Sequence, residues 1–306
     1  MYACSDDSAM VTPTPPDDAV TRQLTENVIV VVIDGPRFSE TWGLPGQSHI
    51  PYMSQRLAPK GTFFSNFQNE GYTLTLPGHT AILTGNYEQI SNDGSQHPLA
   101  PSVLQHYLKQ TGLDSTKAAI ISSKAKLKAL ADTQHSEWSG RFQPMSNCGN
   151  HGRNRSDAET LQEVLNTIDN YQPHLMMVQF SGPDAKGHAN NWPGYLYSIK
   201  ETDSLVYELW NYIQQHEQYK DKTALLITND HGRHADGHID GFVNHGDRCE
   251  SCKHISLLAI GPEFDHDTTI TTHYEQTEIP VTISKLLRFN MQSQQNKAIN
   301  PLLRHL

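Results

Sequence analysis

Asp34, Asp184, His188, Asp230, His231 and His245 stand in four short stretches, "VVIDG", "SGPDAKGH", "NDHG" and "NHGD". Carboxylate plus imidazole is the ligand mixture that suits zinc or manganese better than magnesium or calcium. An acid at a strand end is often only a helix cap, and an Asp-His pair in a loop is often only solvated. Several such groups at successive strand ends are harder to dismiss. Thr75, in "TLPGHTAILTG", adds a hydroxyl just before the expected start of a helix, with Pro77 in its first turn. With Thr75 the set reaches seven residues, enough for two divalent ions that would clamp the attacking and leaving oxygens of an in-line displacement at phosphorus. A threonine hydroxyl held by one ion would lose its proton near neutral pH and attack as an alkoxide, and a helix N-terminus behind it favours anionic oxygens. On its own segment Thr75 reads as a helix cap; beside the other six residues it reads as a nucleophile.

These residues need a scaffold that brings them to one edge. "NVIVVVIDG" (27–35) is a continuous apolar run ending in an acid and a glycine, as expected of a buried parallel strand. Similar runs recur at "AAIISS", "HLMMVQF", "TALLITND" and "HISLLAIGP", and helical periods lie between them in "SDAETLQEVLNTIDNY" and "YLYSIKETDSLVYELWNYIQQH". The alternation predicts an α/β fold, a mostly parallel central sheet sandwiched between helices. Ligands in such sheets bind beyond the carboxyl ends of the strands, which is where the acids and histidines fall. No internal repeat and no second linker is visible, so residues 26–306 are expected to form one domain. Polar, Gly-rich stretches at 92–100, 133–155 and 233–250 are expected to roof the site.

Composition narrows the function classes. Lys and Arg total 23 against 33 Asp and Glu, a formal charge of −10, which argues against a nucleic-acid groove. Seventeen histidines keep metal chemistry in view. No run approaches the length of a membrane span. Residues 1–25, rich in Pro, Thr and Asp, read as a flexible tether. Within them "YAC" before Ser and Asp resembles a bacterial lipoprotein cleavage site with Cys4 as the lipid-bearing residue, which would make the protein periplasmic or otherwise exported. The alternative is a frayed cytosolic N-terminus.

The order and spacing of "VVVIDG", "IPYMSQRLAPKGTFFSNFQNEGYTLTLPGHTAILTG", "DAKGH", "NDHG" and "HGD" followed by "LLAIGPEF" resemble the alkaline phosphatase superfamily, most closely its nucleotide pyrophosphatase/phosphodiesterase branch. The resemblance implies an alkaline phosphatase-like fold and two zinc ions, with manganese possible in their place. It implies that Asp34, Thr75, Asp230 and His231 hold one ion and that Thr75 is transiently phosphorylated. Asp184, His188 and His245 would hold the second, which activates water for the second step, although His234 and His238 lie close to His245 as competitors. Asn92 is the counterpart of an asparagine that holds a non-bridging phosphoryl oxygen, set slightly early in the chain. The branch's "PNH" is "PGH" here, and "TLPGH" lacks the Cys or Ser and the Arg of the C/S-x-P-x-R setting that type I sulfatases need, although a sulfatase family match remains compatible with the shared fold. The expected partner is a small phosphorylated substrate, and the expected reaction is hydrolysis of a phosphodiester, pyrophosphate or phosphomonoester. A phosphoglycerate mutase-like isomerase, a phosphonate hydrolase, or a metal-binding protein that has lost catalysis are the alternatives. The chain lacks room for the large inserted domain of the mutases. Serine-hydrolase chemistry has no support, because no G-x-S-x-G elbow is present.

Of the four cysteines, Cys148, Cys249 and Cys252 leave three readings open: a disulfide, free thiols, or a structural zinc site in which "CGNH" (Cys148, His151) joins "CESC". None makes a cysteine catalytic. Lys186, inside "DAKGH", could place a positive charge near substrate, though a solvated lysine is the simpler reading.

Overall fold

β1 (Asn27–Ile33) is buried along its whole length, because its side chains alternate between two covered faces of a sheet. In the computed structural model, which describes Met1, residues 25–291 and residues 298–299, β1 lies near the middle of that sheet. Val28, Val30 and Val32 pack into one apolar cluster; Ile29, Val31 and Ile33 pack into the other. Around β1 stand β2 (Gly61–Gln68), β3 (Ala118–Ser122), β4 (Met145–Cys148), β5 (Leu175–Phe180), β6 (Thr223–Asn229), β7 (His254–Ile260) and the short β8 (Thr268–Ile270) and β9 (Tyr274–Glu275). Among the described residues the order is β4-β3-β5-β1-β6-β7-β2-β8, with β9 also on β2. The pairs from β4 to β6 are parallel, and only β7 runs against its neighbours. The chain is thus a single α/β domain with a mostly parallel sheet, as the alternation of runs predicts.

The helices are α1 (Thr75–Thr84), α2 (Val103–Thr111), α3 (Asp157–Tyr171), α4 (Gly182–His188), α5 (Trp192–Ile213), α6 (Glu250–Lys253) and α7 (Ile279–Leu286). Ile82 of α1, Leu104 of α2 and Ile283 of α7 join the cluster of Val30, whereas Val164 of α3 and Val206 of α5 join that of Val31. Each fully buried Val, Leu or Ile contributes roughly 1.5–3 kcal/mol, so the two clusters supply the rigidity that the site edge requires. Ser156 starts α3 with a capping box, its side chain accepting from Glu159 N while the Glu159 carboxylate accepts from Ser156 N.

All five expected strands form. The short edge strands β4, β8 and β9 and the strand β2 escape a periodicity reading, because "GTFFSNFQ" mixes buried and half-buried positions and the edge strands have two to four residues. Residues 2–24, with Cys4 and nearly all of the expected tether, lie outside the described residues. No helix among the described residues is long and apolar enough to cross a membrane.

Of the three cysteine readings, the structure agrees with free thiols and corrects the disulfide and the zinc site shared by "CGNH" and "CESC". Cys148 ends β4, and five strand spacings separate it from β7, whose start follows "CESC". At about 4.8 Å per strand the gap is ~24 Å, so Cys148 and His151 cannot share a metal or a disulfide with Cys249 or Cys252. All three thiols are free.

Candidate active site

Because β3, β5, β1 and β6 are parallel, their carboxyl ends share one edge, and the expected acids and histidines gather there. Asp34 follows β1 and Asp230 follows β6, and the register Ile33 with Asn229 sets the two acids side by side. Asp184 and His188 lie on α4, just beyond β5, four residues apart and so on one helical face. The turn into α4 is fixed by Asp157, whose carboxylate accepts from Ser181 N at 2.7 Å and Gly182 N at 2.8 Å. The loop from β6 back to antiparallel β7 crosses the same edge and carries His245.

The first group is Asp34, Asp230 and His231, all fully buried. One oxygen of each acid is satisfied by protein: Asp230 Oδ1 accepts from Gly35 N at 3.2 Å and His231 N at 3.0 Å, and Asp34 Oδ2 accepts from Gln179 Nε2 at 2.9 Å. His231 Nδ1 donates to Gly232 O at 2.8 Å, which leaves Nε2 as the lone-pair nitrogen. The remaining atoms, Asp34 Oδ1, Asp230 Oδ2 and His231 Nε2, are buried with no hydrogen-bond partner. His231 Nε2 lies 3.3 Å from Asp230 Oδ2 and 3.6 Å from Asp34 Oδ1. Ligand atoms about 2.0 Å from a tetrahedral ion are ~3.3 Å apart, so this spacing fits a shared cation. Burial, with the charge of Asp230, pushes Asp34 up to about 6, and burial pushes His231 down to about 3, so the imidazole stays neutral and able to ligate.

The second group is Asp184, His188 and His245. Asp184 Oδ1 lies 3.2 Å from His188 Nε2 and 3.3 Å from His245 Nε2, and the two Nε2 atoms are 3.0 Å apart. Both rings are held by Nδ1, which meets Asn244 Oδ1 at 3.0 Å in His188 and Thr73 O at 2.8 Å in His245. The two groups touch, because the rings of His231 and His245 stack with centroids 3.7 Å apart. His234 and His238 stand apart from both groups, so His245 is the histidine that joins Asp184.

Thr75 is the first residue of α1 rather than the residue before it. Leu74 is the N-cap and makes no side-chain cap, so Thr75 is not a helix cap. Its hydroxyl instead accepts from Lys124 Nζ at 3.1 Å, and the same ammonium lies 2.9 Å from Asp34 and 2.5 Å from Asp184, one acid from each group. Thr73, two residues earlier, is turned to other partners: its hydroxyl accepts from Arg248 N at 3.3 Å and its carbonyl meets His245 Nδ1. His79, one turn along α1, is buried with Nδ1 at 2.8 Å from Thr75 O and 3.3 Å from Asp230 Oδ2. Asn92 is close but differently employed: its Oδ1 accepts from Leu76 N at 2.9 Å, so that amide of the first turn is already used. Thr75, Asn92, Lys124, Asp184, His188 and His245 line a cleft of about 570 Å³, to which residues of the expected roof, Asn154 and Asn244 among them, contribute.

Lys124, Lys126, Arg233 and Gln179 are the residues that the sequence reading missed. Lys124 and Lys126 follow β3 in "SSKAK", a strand end like those of the acids, and that position was the available signal. Burial opposes the Lys124 charge, but Asp34, Asp184 and Asp230 outweigh it and hold the ammonium above the ordinary lysine range. Lys126 Nζ meets Asn92 Oδ1 at 3.1 Å. Arg233, wholly buried, pairs with Asp184 and donates to the carbonyls of Phe242 and Val243. Lys186, by contrast, is exposed.

This fold, with its strand-end acids and imidazoles, is that of the alkaline phosphatase superfamily. Within it the chain belongs to the Sulfatase family, whose profile matches residues 26–289. The solved structure of a protein in the alkaline phosphatase superfamily from Vibrio parahaemolyticus superposes with a TM-score of 0.63 and 16% identity, covering 91% of this chain and 70% of that one. The phosphonate monoester hydrolase from Silicibacter pomeroyi superposes with a TM-score of 0.62 and 14% identity, over 92% and 77% of the two chains. A curated relative, the 2,3-bisphosphoglycerate-independent phosphoglycerate mutase of Gracilaria tenuistipitata var. liui, is 22% identical over 143 residues, 46% of this chain and 26% of that protein. The chain thus aligns with about a quarter of that relative's length. The family is one of metal-dependent enzymes, and the two ligand groups, the first with its orphaned atoms, fit that dependence.

Proposed function

We propose that the protein is a two-metal phosphohydrolase of the phosphodiesterase/nucleotide pyrophosphatase or phosphatase type, acting through a phospho-threonine at Thr75. The observation that carries this reading is Thr75 Oγ1 itself. It stands at the head of α1, makes no cap, and is linked through Lys124 to one acid of each ligand group. Asp34, Thr75, Asp230 and His231 would hold one divalent ion and Asp184, His188 and His245 the other, zinc by the donor set, with manganese as the alternative. Bound there, the ions would supply positive charge to the transferring group and to the oxygens that attack and leave.

The chain's own residues then do the following. Lys124, donating to Thr75 Oγ1, favours the alkoxide over the hydroxyl, and the Thr75 proton passes to solvent. The oxygen attacks phosphorus; the Oγ–P bond forms as the ester P–O bond breaks, and the leaving alkoxide takes a proton from solvent. Water then cleaves the Oγ–P bond, which restores the hydroxyl and releases the phosphoryl group. Asn92, with Oδ1 committed to Leu76 N, has its amide nitrogen left for a non-bridging oxygen. Gln179, His79 and Asp157 hold Asp34, Asp230 and α4 in place.

The family's name favours a sulfate ester as the second reading. Two divalent ions beside Lys124 would outweigh the three carboxylates and leave the site positive, which suits a doubly charged phosphate monoester better than a singly charged sulfate ester; a phosphodiester carries the same single charge as the sulfate, and there the argument against sulfate is that "TLPGH" lacks the C/S-x-P-x-R setting. Hydrolysis of p-nitrophenyl phosphate, bis-p-nitrophenyl phosphate and p-nitrophenyl sulfate by zinc-loaded protein separates them. Phosphate-ester turnover lost in Thr75→Ala is the expected result; preferred turnover of the sulfate would overturn the reading. Export is part of the same proposal and rests on the residues around Cys4; metabolic labelling with palmitate, lost in Cys4→Ala, tests it.

A further inference from the structure

A second set of ligating side chains lies in the loop between β6 and β7, outside the cleft. His234, His238, Asp247 and Cys249 each offer one ligand atom, and these atoms all lie within 4.8 Å of one another. His234 is 96% buried by its 4% exposure, and its Nδ1 meets Asp240 Oδ1 at 2.7 Å. A ring nitrogen that donates to a carboxylate leaves the other with a lone pair, and this arrangement orients histidines that ligate metals. That other atom, His234 Nε2, is buried without a hydrogen-bond partner and faces Asp247 Oδ1 at 3.2 Å. Two such atoms repel unless a proton or a metal cation sits between them, and the contact does not have the geometry of a hydrogen bond, which favours the cation. His238 Nε2 lies 2.6 Å from the other Asp247 oxygen, and Cys249 N donates to Asp247 Oδ1 at 3.0 Å, which brings the thiol to the same corner.

We propose that these four residues form a zinc site distinct from the catalytic pair. A tetrahedral ion with nitrogen and oxygen at about 2.0 Å and sulfur at about 2.3 Å needs ligand separations of ~3.3–3.6 Å, which the present spacing, from 2.6 Å to at most 4.8 Å, brackets to within about 1 Å. The thiolate excludes magnesium and calcium, and the mixture of imidazole, carboxylate and thiolate suits zinc. Cys249 ligates as thiolate: the S–H proton goes to solvent as the Zn–S bond forms. Four protein ligands make a closed, structural site. His234 and His238 enter from one limb of the loop and Asp247 and Cys249 from the other, so the ion would staple the segment that carries Asn244 and His245 into the cleft.

Among the described residues the site contains the one cysteine of all the candidate ligand groups, and cobalt reports it selectively. Protein loaded with cobalt is expected to show a near-ultraviolet thiolate-to-cobalt charge-transfer band, which no ligand set free of sulfur can give. Cys249→Ser should abolish the band and lower bound metal by one equivalent, while Cys252→Ser should keep both. In case Cys249→Ser fails to fold, His238→Gln at the exposed corner should weaken zinc at this site by tenfold or more in competition with a chelator. Zinc should also protect Cys249 of the wild-type protein from alkylation by iodoacetamide. A cobalt-loaded protein without the band, a band that survives Cys249→Ser, or a Cys249–Cys252 disulfide in protein purified without reductant would overturn the proposal. None of these readouts depends on turnover, so they stand or fall apart from the phosphohydrolase reading.

Discussion

Replacing Lys124 by Met keeps the length and apolar stem of the side chain and removes its charge. The ammonium lies 2.5 Å from Asp184, 2.9 Å from Asp34 and 3.1 Å from Thr75 Oγ1, all of them buried. Without metal, the variant leaves two buried carboxylates facing each other with their principal cation gone, a loss of about 3–5 kcal/mol. In a chain of this size that lowers the midpoint of thermal unfolding by roughly 5–10 °C. With zinc bound, the ions neutralise the same acids, and the difference should shrink to under ~1 kcal/mol. Catalysis should respond in the opposite manner. Loss of a charge-assisted donor to the attacking oxygen is expected to lower kcat by about 10²–10³-fold in the zinc-loaded enzyme, as loss of one preorganised donor does elsewhere. Melting curves with chelator and with zinc, together with steady-state rates on an aryl phosphate ester, read both effects. Equal destabilisation with and without zinc, or a kcat within threefold of wild type, would refute the reasoning.

Gly78 of "PGH" has no room for a side chain: a Cβ there would meet Asp230 O at 2.7 Å and Asp230 Cβ at 3.1 Å. Gly78→Ala is expected to destabilise by about 1–3 kcal/mol in denaturant titration and to weaken zinc binding by displacing Asp230; an unchanged midpoint would contradict the contact. Asp203 accepts from Tyr52 N and Met53 N, and burial pushes it from the ordinary 3.8 up to about 6. A carboxyl whose folded pKa is raised stabilises most below its unfolded pKa, and that contribution is lost as pH rises from about 4 to about 6. Over that window the stability of Asp203→Asn, which does not titrate, should gain on wild type by up to about 3 kcal/mol, and a flat difference would show that Asp203 is not held protonated.

The apolar runs ending in Asp34, in "SGPDAKGH" and in "NDHG" made the site legible because in a parallel sheet a strand's last residue and its place at the functional edge are one fact. Thr75, His188 and His245 were legible through motif order. Lys124 was not, because "SSKAK" looks like a solvated turn until β3 is known to lie beside β5, in reach of Asp184. Arg233 and Gln179 stayed hidden for a similar reason. Their partners, Asp184 and Asp34, are 49 and 145 residues away, and side-chain pairing at that separation leaves no periodic trace. Asn92 was found as a residue but not in its detail, since only the fold shows its Oδ1 taken by Leu76 N. The pairing of Cys148 with "CESC" failed because two-residue spacings say nothing of which ends of a sheet the pairs occupy.

The phosphoryl-enzyme itself is the most direct test of the account. Zinc-loaded protein quenched in acid during turnover of bis-p-nitrophenyl phosphate or p-nitrophenyl phosphate, then digested and sequenced by mass spectrometry, should carry a phosphoryl group on Thr75, and Thr75→Ala should carry none and turn over neither ester. Turnover that persists in Thr75→Ala, or a phosphoryl group found on another residue, would contradict it.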